Sequence, residues 1–144
     1  KYSVPKEVIG YLKILQSDGW KIAIATGRSF LFASLALSEF DFPYVLLVQN
    51  GSAALKMPKK DLFYKSYLEP SAISEIEKAF EGIEGNFLLY AGYEKGDFCY
   101  YRPDRFSEEH MGYLAHLQTR EKELARPISS FEGLGSSPLI KCFG

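Results

Sequence analysis

Cysteine and histidine are both scarce in this chain, and each scarcity argues against a class of metal site. The 144 residues include two Cys, two His, two Met and one Trp. Cys99 and Cys142 stand far apart, without the short spacing of a metal knuckle, and read as free, mostly buried thiols of a cytoplasmic protein. His110 and His116 would point to different faces of a helix, so they form no metal pair. No apolar run approaches the ~20 residues that a membrane-spanning helix needs, and no secretory leader opens the sequence. Charge of neither sign prevails. Lys and Arg number 17 against 18 Asp and Glu, and the resulting net charge of −1 offers no general attraction to nucleic acid or an anionic membrane.

What is present is a globular composition, 47% hydrophobic and 24% charged, with 11 Phe and 10 Tyr. The length suits one domain or parts of two. Pro5 opens a helical pattern with apolar Val8, Leu12 and Leu15, and Gly19 closes it. Trp20 to Ala25 reads as a short strand whose run Ile22-Ala23-Ile24-Ala25 is buried on both faces. A second helix runs from Ser29 to about Glu39, and Tyr44 to Val48 is another buried strand. Two apolar strands joined by a helix imply a parallel sheet with a right-handed crossover.

Between the first strand and its helix lies Thr26-Gly27-Arg28. A hydroxyl, a glycine that lets a ligand approach the backbone, and a planar cation together suit a phosphate-like anion. A plain strand-to-helix turn with a surface arginine is the other reading of the same residues. Gln49-Asn50-Gly51-Ser52 ends the second strand with turn chemistry, on the sheet edge where open α/β folds bind ligands. Asn50 faces the same pocket or serves the turn alone.

After Ser52 the pattern changes from α/β to α+β. Residues 53–57 and 62–68 read as a hairpin around Pro58-Lys59-Lys60-Asp61. A helix from Pro70 or Ser71 carries Ile73, Ile76 and Phe80 on one face and ends at Gly82. Strands follow at 87–93 and 98–101 around Glu94-Lys95-Gly96-Asp97. Ser107 caps a helix with Met111, Leu114 and Leu117 inward, and Arg126-Pro127 ends that helical region. A loop at 133–138 leads to a last strand at 139–143. Of the aromatic residues Phe87, Tyr90, Tyr93, Phe98, Tyr100 and Tyr101, about half should fill a core, since strand side chains alternate.

Ile22-Ala23-Ile24-Ala25-Thr26-Gly27-Arg28 resembles the second motif of the haloacid dehalogenase-like (HAD) phosphatases, in the Cof-type subgroup with an α/β cap. Gln49-Asn50-Gly51-Ser52 resembles that subgroup's Asn-Gly-Ala element, with Ser52 in place of alanine. The resemblance covers the whole chain. It implies an α/β fold in which 1–53 form part of a Rossmann-like parallel-sheet core and 54–144 part of an inserted α+β cap. It further implies a Mg²⁺-dependent phosphatase acting on a small phosphorylated metabolite through an aspartyl-phosphate. Thr26 would donate its hydroxyl to the transferring phosphoryl group, Gly27 its backbone N–H, and Arg28, Asn50 and Gly51 would complete the phosphate and substrate contacts. The family's Asp-x-Asp nucleophile motif, metal carboxylates and catalytic lysine are not in these residues, and Lys141 belongs to a cap strand instead. The alternative is a non-catalytic phosphate-binding or assembly module with the same fold. No nucleic acid or membrane partner is expected.

Overall fold

The computed structural model describes residues 3–83, 86–120, 124–137 and 140–143. Contacts divide the chain into two units, Lys1–Ser66 and Tyr67–Gly144.

The first unit begins with helix α1 (Lys6–Ser17). Its end is a Schellman closure: Gly19 N–H donates to the Gln16 carbonyl and Trp20 N–H to that of Leu15, both at 3.0 Å. Gly19 takes φ +92°, the left-handed step this motif requires. The residue α1 buries is Ile9, while Val8 is exposed and Leu12 and Leu15 are half-buried. The stripe is therefore rotated from the expected one by a single position at its start.

Strand β1 is only Ala23–Ala25, and it pairs in parallel with β2 (Tyr44–Val48). Between them lies α2 (Phe30–Ala36), shorter than its sequence pattern and capped by Ser29 Oγ, which accepts from Phe32 N–H at 3.4 Å. Burial of β1 on both faces is not observed: Ala23 and Ala25 are exposed and Ile24 half-buried. Among the described residues the strand lies at the sheet edge, and Trp20 before it is exposed.

Two antiparallel strands complete this sheet, β3 (Ala53–Met57) and β4 (Asp61–Lys65), in the order β1-β2-β3-β4. The hairpin that the sequence groups with a cap is thus hydrogen-bonded onto β2. Phe40, Phe42 and Tyr44 pack their rings together, with centroids 5.1 to 6.1 Å apart, where the chain enters β2.

In the second unit, helix α3 (Pro70–Ala79) precedes strands β5 (Asn86–Tyr90) and β6 (Phe98–Tyr101). Helix α4 (Glu108–Arg120) follows, with Ser107 Oγ accepting from His110 N–H at 3.2 Å. The sheet order is β7-β6-β5-β8, with β7 at Leu124–Pro127 and β8 at Ile140–Phe143. Alternate residues of β5 face opposite ways: Leu88 and Tyr90 join Leu114 and Leu117 of α4, and Phe87 and Leu89 join Ile73 of α3 and Phe131.

Two expectations need correcting here. Arg126-Pro127 does not end a helix but closes strand β7, parallel to β6, with the Arg126 guanidinium 3.7 Å from the Phe98 ring centroid. Met111 is not an inner residue of α4, since the sheet covers only Leu114 and Leu117. Phe87, Tyr90 and Phe98 fill the core, while Tyr93, Tyr100 and Tyr101 are half-buried. Cys99 is a buried cysteine that forms no disulfide among the described residues; the side chain of Cys142 and residues Pro138 and Leu139 lie outside the described set. Leu68 and Ser137 form an antiparallel bridge, with hydrogen bonds of 2.7 and 3.0 Å.

Candidate functional site

The carboxyl ends of β1 and β2 each run straight into a turn, and the backbone ties the two turns together. Thr26 N–H donates to the Leu47 carbonyl at 2.9 Å, Asn50 N–H to the Thr26 carbonyl at 3.2 Å, and Gln49 N–H to the Arg28 carbonyl at 2.9 Å. Parallel pairing places the two strand ends side by side, so these bonds continue the sheet into its loops. The five residues singled out in the sequence therefore gather at one sheet edge.

Thr26 is half-buried, and its Oγ1 accepts from Arg28 N–H at 3.2 Å. That bond uses an oxygen lone pair and leaves the hydroxyl proton to donate elsewhere. Gly27 is exposed, and its N–H makes no hydrogen bond among the described residues. The Arg28 guanidinium lies over the ring of Phe32, 4.2 Å from its centroid. Phe32 is one helical turn further on and itself buried, so it fixes the stem of an otherwise mobile side chain. Arg28 has no ion pair among the described residues.

Asn50 takes φ 58° and ψ 29°, a left-handed conformation that asparagine tolerates better than most residues. Its carboxamide lies against Gly27. Gly51, with φ 87°, reverses the chain into β3 and makes no bond to the Thr26 loop among the described residues. Ser52 N–H donates to the Gln49 carbonyl at 3.2 Å, and its carbonyl accepts from Ser66 N–H at 2.8 Å. Phe32 was not legible as a site residue, because an apolar residue at helical spacing reads as core; only its place four residues after Arg28 hints at the stacking.

Taken together the edge offers a hydroxyl proton, a backbone N–H, an amide and a guanidinium, all donors and none an acid. It can hold an oxyanion, and among the described residues it has no carboxylate with which to attack or deprotonate anything. Among the described residues no group of His, Cys, Asp or Glu could hold a metal ion. No helix among them is long and apolar enough to cross a membrane.

Residues 1–137 match the model of the haloacid dehalogenase-like hydrolase family. The chain belongs to that family. Solved structures with the same fold include a protein of Eubacterium rectale, at TM-score 0.77 and 11% identity, covering 100% of this chain and 52% of that one. A HAD-like hydrolase of B. subtilis matches at TM-score 0.64 and 15% identity, over 92% of this chain and 50% of its own. A sugar phosphatase of HAD subclass IIB matches at TM-score 0.63 and 16% identity, over 93% and 49%. This HAD chain thus spans about half the length of the structures it resembles. No curated protein matches its sequence. At these identities the structural likeness speaks for the α/β fold alone.

Proposed function

We propose that the protein containing these residues is a Mg²⁺-dependent, cytoplasmic phosphatase of the Cof-type subgroup, acting on a small phosphorylated metabolite such as a sugar phosphate. The observation that carries this reading is the joining of the Thr26-Gly27-Arg28 turn to the Gln49-Asn50 turn by three backbone hydrogen bonds, in a chain of the HAD family. A carboxylate outside these 144 residues would attack phosphorus, forming an aspartyl-phosphate as the ester oxygen leaves with a proton; water would then release inorganic phosphate. Among the described residues no cluster of His, Cys, Asp or Glu could hold a metal ion, so Mg²⁺ would be held by carboxylates outside these residues and would neutralise phosphate charge.

Within this chain the roles follow from donors. The Thr26 hydroxyl and the Gly27 N–H donate hydrogen bonds to a phosphoryl oxygen, both stronger as charge gathers on that oxygen. Arg28, parked on Phe32, reaches the substrate beyond its phosphate. Asn50 adds an amide, and Gly51 shapes the turn that carries it. On this reading the first unit belongs to the core and the second to the cap. The test is hydrolysis of an aryl phosphate by the full-length protein. Turnover that requires Mg²⁺ and disappears in excess chelator is expected. Binding of phosphate without turnover would favour the non-catalytic module, and undiminished turnover in chelator would remove the metal-dependent mechanism.

A further inference from the structure

Glycine is usually demanded by a positive φ or by an approaching backbone, and neither applies at Gly27. Its φ lies outside the positive range that side chains avoid. A β-carbon built there would meet the carboxamide of Asn50, with Oδ1 at 2.6 Å, Cγ at 3.6 Å and Nδ2 at 4.0 Å. The missing methyl group is filled by an amide. Asn50 is held at the backbone by its left-handed conformation and by its N–H bond to the Thr26 carbonyl. Its side chain makes no hydrogen bond among the described residues, and the end turned onto Gly27 is the oxygen. The nitrogen, with two N–H donors, lies farther from that β-carbon position, at 4.0 Å against 2.6 Å for the oxygen.

We propose that Gly27 is a seat for the Asn50 carboxamide, and that the seated amide presents its N–H to the same phosphoryl group as the Thr26 hydroxyl. Besides the backbone N–H it offers to the phosphoryl group, Gly27 is then a positioning residue through its missing side chain, acting on Asn50, and Asn50 is a donor to the substrate. The inference rests on the phosphatase reading above and assigns the glycine of the motif a partner in another turn. Substitution at Gly27 strains no backbone; it evicts a short, exposed side chain from its place. The fold survives this, while the donor is lost.

A double-mutant cycle on the full-length protein decides the matter, with Gly27→Ala, Asn50→Gly and the pair together. Glycine suits the left-handed backbone at 50, so that variant also folds. The readouts are KM for an aryl phosphate, inhibition by inorganic phosphate, thermal melting, and the NMR signals of the Asn50 side-chain amide, assigned by their loss in Asn50→Gly. Each single variant should melt no lower than wild type and raise KM and the phosphate inhibition constant roughly tenfold or more, the cost of one hydrogen bond to a charged group. The double variant should be no worse than either single one, and Gly27→Ala should shift the Asn50 amide signals. Effects that multiply in the double variant would overturn the proposal, because the added β-carbon at position 27 would then disturb the ligand independently of Asn50. An Asn50→Gly variant with unchanged phosphate inhibition would overturn it equally. If wild type shows no turnover at all, the phosphatase reading fails by itself; the amide signals then judge the seat, upheld by a shift in Gly27→Ala and overturned by none.

Discussion

Strands β1 and β5 both read as apolar in sequence and end in different surroundings. β5 lies between β6 and β8, with α4 against one face and α3 against the other, and all five of its residues are buried. Among the described residues β1 pairs with β2 alone, and its two alanines are exposed. An apolar run reports only the capacity to be buried; lateral pairing and a covering layer decide whether burial happens. The contrast extends to role. β5 holds its unit together through packing, whereas β1 matters for the turn at its end.

The largest expected effect tests the packing side. Phe87 exposes no surface, and its ring lies 4.9 Å from that of Phe131 and 5.5 Å from that of Phe80, centroid to centroid. Phe87→Ala should cost about 3–5 kcal/mol, as large-to-small changes in a packed core do. Ile24→Ala, in half-buried β1, should cost about 1 kcal/mol. Urea denaturation of both variants measures the difference, and equal losses would break the comparison.

The chemical side should invert that order. Thr26→Val keeps the branched shape and removes the hydroxyl, so turnover of the full-length protein should fall by about two to three powers of ten. Stability should drop by no more than about 1 kcal/mol, for the lost bond from Arg28 N–H. Arg28→Ala should raise KM more than it lowers kcat, if its guanidinium holds the part of the substrate beyond the phosphate. Steady-state kinetics with parallel melts separates these outcomes. Thr26→Val turning over within about twofold of wild type would take Thr26 out of the phosphate site.

A smaller effect concerns the second unit's alkaline limit. Burial, with the nearby Glu94 charge second, pushes the Tyr67 hydroxyl from its ordinary 10.0 up to about 12, and that hydroxyl donates to Glu94 Oε2 at 3.2 Å. The folded chain holds this proton after the unfolded chain has lost it. The stability it contributes is therefore complete below about pH 10 and lost as pH rises from 10 to 12. Tyr67→Phe should flatten that part of the denaturation-versus-pH curve. The smallest effect is at Ser52, whose buried hydroxyl has no hydrogen-bond partner among the described residues. Ser52→Ala should be neutral or stabilise by up to about 1 kcal/mol, seen as a small rise in melting temperature.

Local rules carried the sequence reading where the structure is local. The Schellman end at Gly19, the Ser29 and Ser107 caps and the hairpin at 53–65 follow from residues within a turn of one another. The gathering of Thr26, Gly27, Arg28 and Asn50 was legible because two strand ends must meet on one edge of a parallel pair. Features that depend on a distant partner were not legible. Leu124-Ala125-Arg126-Pro127 has little strand pattern of its own and becomes β7 by pairing with Phe98–Tyr101. The exposure of β1 depends on what covers it, and Phe32 under Arg28 looks like any core residue until the rings and cations are placed.

The bridge between Leu68 and Ser137 has a consequence for how this protein can change. Two hydrogen bonds close a loop that contains almost the whole second unit. The entropy of closing a flexible loop grows only with the logarithm of its length, about 0.6 kcal/mol for each doubling. Extra residues at the exposed tip around Glu94, Lys95 and Gly96 would therefore lengthen the loop at small thermodynamic expense and leave the clasp unaltered. A segment tied in this way can acquire insertions over evolutionary time while the first unit's sheet keeps its register.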